Sequence, residues 1–194
     1  HLLAQIQNGG PFEAFLSADT AKPARLIADG QALADSRFTY AVGKLVLWSA
    51  TPGLTRDGAA ILKAGDFRRL ALANPKLAPY GAASIETLQA LGVHDALRAK
   101  IIQGNTVNQT YQFVVTGNAQ WGFVALSQVI DNGKVGQGSG WIVPSKLYSS
   151  IHQDAVLLQS GVDNPAAMAL LAFLRGPKAG VIIERYGYAI PARR

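Results

Sequence analysis

Apolar and polar residues alternate along the first quarter of this 194-residue chain in a pattern that predicts strands separated by a helix. Residues 12–17 have the alternation of a strand, and Asp19 or Thr20 follows as a candidate N-cap of the next helix. Residues 37–49 form a longer β-prone run in which Gly43 allows a bend. A strand, a helix and a second strand in this order indicate an α/β fold.

A tight turn at residues 74–81 connects a predicted strand to a predicted helix. The strand lies within residues 67–73, and the helix covers 82–91 and ends at Gly92. The first N–H groups of a helix have no intrahelical acceptor, and the helix dipole places partial positive charge there. This junction is therefore a candidate site for a small oxyanion.

A second junction repeats the arrangement. Residues 100–103 predict a strand, and the following helix begins at Asn105 or Thr106, either of which can serve as its N-cap, and ends near Gly117. Two helix N-termini could then face one cleft. The same pattern is also compatible with ordinary loops between strands and helices, and periodicity alone leaves both interpretations open.

The rest of the chain continues the pattern of apolar segments. Strands are predicted at residues 121–126, 141–144 and 155–158, and helices at 165–174 and 178–186. The glycine-rich segment at 134–140 lacks the spacing of a nucleotide-binding loop, so we interpret it as a hairpin or a loop at the edge of a lobe.

The chain is predicted to form two lobes and to pass between them twice. Residues 1–40 and 150–194 form the predicted lobe one, and residues 41–149 form lobe two. In lobe two, strands alternate with helices, which predicts a parallel sheet.

The composition of the chain excludes several classes of function. Hydrophobic residues make up 49% of the chain and charged residues 15%, which is enough apolar material for a core. No apolar run reaches the length of a membrane span, so we predict no membrane insertion. The absence of cysteine excludes disulfides and thiolate chemistry. The formal net charge of +6 comes from dispersed residues without the stripe of a nucleic-acid-binding surface.

Catalytic motifs are missing from the sequence. His94 and His152 adjoin no nucleophile motif, and Glu13, Asp19 and Glu86 are isolated carboxylates. The chain also lacks nucleotide-binding and zinc-binding patterns. We therefore predict a binding protein that is not an enzyme and that has no cofactor.

Short motifs spread over nearly the whole chain occur in a characteristic order. They are Phe-Leu-Ser-Ala-Asp at 15–19, the run at 37–49, Asn-Pro at 74–75 with Ala-Pro-Tyr-Gly at 78–81, Gly-Phe-Val-Ala-Leu at 122–126, Arg-Gly-Pro-Lys-Ala at 175–179 and Gly-Tyr-Ala-Ile-Pro at 187–191. Because it has these motifs in this order, the chain closely resembles the periplasmic molybdate-binding proteins of bacterial ABC transporters. The resemblance implies the two-lobed, Venus-flytrap architecture of solute-binding proteins, with the first strand and helix of lobe one expected N-terminal to His1.

The resemblance also implies a function and a site. The function is high-affinity capture of molybdate, and of tungstate, in the periplasm for delivery to the permease subunits of an ABC transporter. In this family, backbone N–H groups at two junctions bind the oxyanion, and the motifs place these groups at Tyr80 and Val107. No residue is expected to bind molybdenum directly as a cation. The remaining ligands, hydroxyl or amide side chains, are expected N-terminal to His1, so we expect the 194-residue chain alone to bind weakly. Some relatives add a tyrosine ligand where this chain has Ala125.

Two other functions share parts of the pattern. A binding protein for another tetrahedral oxyanion, such as sulfate or phosphate, would use the same junctions. An anion-sensing effector module of a transcription regulator would share the two-lobed fold, although this chain has no winged-helix segment.

Overall fold

The computed structural model describes residues 2–54, 57–131 and 133–191. The helices are α1 (Leu2–Gln7), α2 (Ala21–Ala28), α3 (Gly58–Ala64), α4 (Pro79–Ala90), α5 (His94–Leu97), α6 (Val107–Val115), α7 (Pro165–Arg175) and α8 (Pro177–Arg185). The strands are β1 (Ala14–Leu16), β2 (Phe38–Gly43), β3 (Leu45–Ser49), β4 (Leu70–Ala73), β5 (Ile101–Gly104), β6 (Trp121–Ala125), β7 (Ile130–Asp131), β8 (Lys134–Val135), β9 (Ser139–Ile142) and β10 (Ile151–Leu157).

The chain divides into two compact units. The second unit is Gly43–Ile151, and the first unit is formed by the residues before and after it. The boundaries lie two residues beyond those that the sequence predicted at 41 and 149. Strand β2 ends at Gly43 and β3 begins at Leu45, so the long β-prone run is interrupted next to the glycine at which a bend was predicted.

The second unit is built on a five-stranded sheet with the order β5-β4-β6-β3-β9. Strand β4 is parallel to β5 and β6, whereas β3 is antiparallel to β6 and β9. The predicted parallel sheet is therefore found for β5, β4 and β6, and the prediction was wrong for β3. A helix follows each of β4 and β5, so the chain can cross back and form the next strand in the parallel direction. Strand β3 follows β2 directly, without a crossover helix, so nothing requires it to run parallel to its neighbours.

Both faces of this sheet are covered. On one face, Leu45, Leu47 and Phe123 belong to a core cluster with Leu88 of α4. On the other face, alternate residues of the same strands pack with α6. They are Val46, Trp48, Ala71 and Val124, together with Val114 of the helix. A sheet buried on both faces explains why its strands have nearly continuous apolar sequences instead of an alternating pattern.

The first unit contains a three-stranded sheet in which β10 lies between β1 and β2 and is antiparallel to β1. Its apolar residues form two clusters. One contains Ile6, Phe15, Leu26, Ala32, Val156 and Leu158, and the other contains Ala155, Leu157, Ala167 and Leu171. A buried carboxylate lies in the same sheet. Asp154 accepts hydrogen bonds from Arg37 Nε and Thr39 Oγ1, both at 2.7 Å, so its charge is balanced and hydrogen-bonded.

Tyr40 in this sheet makes the stability of the first unit sensitive to alkaline pH. Burial, and then the nearby Tyr188 and Asp154, raise the pKa of Tyr40 to about 12 from 10.0. The folded state therefore favours the neutral phenol, whose Oη donates to Gln153 Oε1 at 3.0 Å. A raised folded-state pKa contributes stability that is complete below the unfolded-state pKa and is lost as the pH rises towards the folded-state value.

We therefore expect the free energy of unfolding of the protein to fall between pH 10 and pH 12, and to fall less steeply in Tyr40→Phe. Urea unfolding of both proteins across this interval measures the difference. Equal pH slopes for the two proteins would contradict the assignment to Tyr40.

Two short helices of the second unit were not predicted. Helix α3 begins after Asp57, whose side chain accepts a hydrogen bond from the N–H of Ala60 at 3.0 Å, and α5 is a single turn. The C-terminal helix α7 agrees with the helix predicted at 165–174, and Asn164 caps it by accepting a hydrogen bond from the N–H of Ala166 at 2.9 Å.

In the described ranges no single helix is long and apolar enough to cross a membrane. Helices α7 and α8 reach that length and composition only as a pair bent by 67°.

Candidate functional site

The two predicted junctions lie at the same edge of the sheet in the second unit. Strands β4 and β5 are parallel neighbours in a register that pairs Ala73 with Gly104, the last residue of each strand. Just beyond them, the N–H of Asn74 donates to the carbonyl of Gly104 at 2.7 Å. Helices α4 and α6 therefore both begin at the carboxyl edge of the sheet, where ligands bind in open α/β sheets.

The first junction is the tight turn that the sequence predicted. The carbonyl of Asn74 accepts hydrogen bonds from the N–H groups of Leu77 at 3.0 Å and Ala78 at 2.9 Å. Ala78 is extended, with φ −133° and ψ 127°, as expected before a proline, and Pro79 is the first residue of α4. The helix begins three residues earlier than predicted, which places Tyr80 in its first turn. The side chain of Tyr80 is buried, with 4% of its surface exposed.

Gly81 allows this first turn to contact the end of β4. A Cβ atom at this position would lie 2.2 Å from the carbonyl oxygen of Ala73 and 2.8 Å from the carbonyl carbon of Asn74. These are backbone atoms that cannot rotate away. A glycine is therefore required for α4 to begin this close to the strand.

The second junction shows which of the two candidate caps is used. Thr106 Oγ1 accepts a hydrogen bond from the N–H of Gln109 at 3.1 Å, and Gln109 Oε1 accepts one from the N–H of Asn105 at 2.8 Å. Thr106 is thus the N-cap and Val107 is the first residue of α6. Over residues 2–54, 57–131 and 133–191, the N–H groups of Val107 and Asn108 have no protein acceptor. Such groups are available to an anion.

The carboxyl end of β6 contributes a third group that the sequence analysis missed. Gln128 Oε1 accepts a hydrogen bond from the N–H of Ala125 at 3.0 Å, and its Nε2 donates to Asn108 Oδ1 at 2.9 Å. Gln128 ends a short 3₁₀ turn that directly follows β6. Its position after a buried strand was visible in the sequence, but its partner is 20 residues away.

The electrostatics of this edge favour an anion. Neither α4 nor α6, whose residues are all described, has an acidic side chain in its first turn. The positive ends of two helix dipoles are therefore not opposed by a carboxylate in those turns. The resulting arrangement can bind a small anion with neutral N–H donors.

The residues considered for catalysis lie elsewhere. His94 Nδ1 is 3.1 Å from Asp95 Oδ1 at the start of α5, and His152 is exposed on β10 in the first unit. In the part of the chain that the structure describes, no group of three or more His, Asp or Glu side chains could hold a metal ion.

Comparison with known proteins identifies the family. The chain matches the sequence model for bacterial extracellular solute-binding proteins over residues 1–189. It belongs to this family. Among other solute-binding proteins, it is 56% identical to the molybdate-binding protein ModA of Azotobacter vinelandii over 96% of this chain and 74% of that protein. It is 54% identical to ModA of Rhodobacter capsulatus over 95% of this chain and 71% of that protein.

A solved structure of a solute-binding protein has the same fold. The periplasmic molybdate-binding protein of Azotobacter vinelandii superposes with a TM-score of 0.90 and 42% identity, covering 98% of this chain and 83% of that one. The predicted α/β, two-lobed solute-binding fold and the predicted resemblance to molybdate-binding proteins are thereby confirmed. The assignment of Tyr80 and Val107 to ligand binding stays a prediction.

Proposed function

We propose that this solute-binding protein captures molybdate in the periplasm and delivers it to the permease subunits of an ABC transporter, without catalysing a reaction. The observation that carries the proposal is the pair of helix N-termini at the carboxyl ends of two adjacent parallel strands, in a chain 56% identical to a molybdate-binding protein. The residues before Gly43 and after Ile151 would form lobe one, and Gly43–Ile151 would form lobe two.

The proposed donors are the backbone N–H groups of Tyr80 and Val107. Tyr80 lies in the first turn of α4 and Val107 is the first residue of α6, so both are at the positive end of a helix dipole. A hydrogen bond between a backbone N–H and an ionised oxygen is stronger than one between neutral groups. Two such donors from one sheet edge would hold one side of a tetrahedral anion.

The chemistry of these donors suits molybdate. Molybdate is fully ionised at neutral pH and presents only acceptor oxygens, so a site of N–H and O–H donors binds it and disfavours anions that carry a proton. Tungstate has nearly the same size and charge and is expected to bind as well. Sulfate is smaller, so pocket size would have to discriminate against it.

Titration of the protein expressed from its complete coding sequence tests this proposal. We expect molybdate and tungstate to raise the melting temperature, and sulfate and phosphate to have little effect at the same concentration. A ligand that binds only the folded state stabilises it by RT ln(1 + [L]/Kd), about 1.4 kcal/mol at a tenfold excess over Kd. Stabilisation by sulfate or phosphate alone would overturn the molybdate assignment and favour a different oxyanion.

A further inference from the structure

The side-chain amide of Gln128 links two elements at the candidate oxyanion site. Its Oε1 accepts from the N–H of Ala125, the last residue of β6, and its Nε2 donates to Oδ1 of Asn108, the second residue of α6. One side chain therefore connects the end of a central strand to the turn that begins with Val107.

The donor and acceptor identities fix the orientation of both amides. A backbone N–H can only donate, so Ala125 requires the oxygen of Gln128. The nitrogen of Gln128 can only donate, so it requires the oxygen of Asn108. Asn108 Oδ1 therefore accepts a hydrogen bond from Gln128, and the Nδ2 group of Asn108 points away from Gln128. The side-chain oxygen of Asn108 is thus paired with a donor, which reduces its repulsion of an anion near the helix start.

The other contacts of this turn are of a different kind. The hydrogen bonds among Asn105, Thr106 and Gln109 lie within the loop and the helix, so they shape the helix start without attaching it to a neighbouring strand. The fully buried residues of α6, Thr110 and Val114, come one and two turns later, and in the first turn the partly buried side chain of Val107 makes an apolar contact with the core cluster of the second unit. The Gln128 amide is a polar link from the first turn of α6 to β6.

We propose that Gln128 is a positioning residue for the oxyanion site, because it holds the first turn of α6, and with it the N–H of Val107, against the end of β6. This inference rests on the proposed role of Val107 as a donor. A residue that only stabilised the fold would affect melting temperature without a matching effect on ligand affinity.

The experiment compares Gln128→Ala with a matched control in the complete protein. Gln120 offers the control, because its Oε1 also accepts from a backbone N–H, that of Arg69 at 2.9 Å, but just before β4 at the opposite edge of the sheet. By calorimetric titration with molybdate, we expect Gln128→Ala to raise Kd about threefold to tenfold, the range for one lost hydrogen bond. Gln120→Ala should leave Kd nearly unchanged.

A double substitution tests whether Gln128 acts through Asn108. We expect Gln128→Ala with Asn108→Ala to bind molybdate no more weakly than Gln128→Ala, because both changes remove the same link. Additive losses would overturn this route, and so would equal Kd values for Gln128→Ala and Gln120→Ala.

The ligand-free protein separates a failure of this inference from a failure of the proposed function. Hydrogen exchange at the amides of Gln109 and Thr110, which donate to Thr106 in the first turn of α6, should be faster in Gln128→Ala than in Gln120→Ala, whether or not molybdate binds. No binding by the unaltered protein would refute the molybdate proposal. Unchanged exchange at these two amides would refute the positioning role of Gln128.

Discussion

Val107→Pro is expected to weaken molybdate binding about 10-fold to 150-fold. Proline has no backbone N–H, and the loss of one hydrogen bond to a charged group costs about 1.5–3 kcal/mol. The helix should tolerate the change, because Val107 is the first residue of α6, where proline is well accommodated. Thr106 before it is already extended, with φ −135° and ψ 160°, as a residue preceding proline must be.

Val107→Ala is the matched control for this prediction. It keeps the N–H and removes side-chain atoms that pack against the core cluster of the second unit. We therefore expect Val107→Ala to lower the melting temperature but to leave the molybdate Kd within about threefold of the unaltered value, because a partly exposed apolar truncation is chiefly a stability effect. Equal Kd values for the alanine and proline variants would show that the N–H of Val107 is not a ligand.

Local signals predicted much of this site. Thr106 was one of two candidate caps, and the structure selects it through the bond to Gln109. The turn after Asn74 was predicted from its position between an apolar strand and an apolar helix. The start of α4 was placed three residues late, because the prediction followed the apolar residues from Ala82 and gave too little weight to Pro79, a residue favoured at the first helical position.

Contacts between distant segments could not be predicted in this way. The link from Gln128 to Asn108 depends on β6 lying beside β4 while α6 follows β5, and no local pattern encodes that neighbourhood. The antiparallel direction of β3 has the same origin, because strand direction follows from the path of the chain and not from apolar spacing. The overall architecture was nevertheless predicted, through the order of several motifs.

Gly81→Ala is expected to destabilise the protein by about 3 kcal/mol and to weaken molybdate binding as well, because overpacking against rigid backbone forces a shift of the main chain. The added methyl group would lie 2.2 Å from the carbonyl oxygen of Ala73, so the first turn of α4 must move away from β4. Tyr80, the next residue towards the helix start, would move with it. Urea unfolding and molybdate titration of the same variant measure the two effects.

Gly180→Ala is the control, because it makes the same change inside another helix with room for the methyl group. Its nearest neighbours would be side-chain atoms of Ile190 at 3.9 and 4.0 Å, which is ordinary contact. Alanine has the higher helix propensity, so this variant should be more stable by about 0.5–1 kcal/mol with an unchanged molybdate Kd. If the two glycine-to-alanine changes alter the free energy of unfolding in opposite directions, the effect at Gly81 comes from its contact with β4. If Gly81→Ala left both stability and affinity unaltered, the start of α4 could move without consequence. That result would contradict the proposal that this turn holds the N–H of Tyr80 in position to bind the anion.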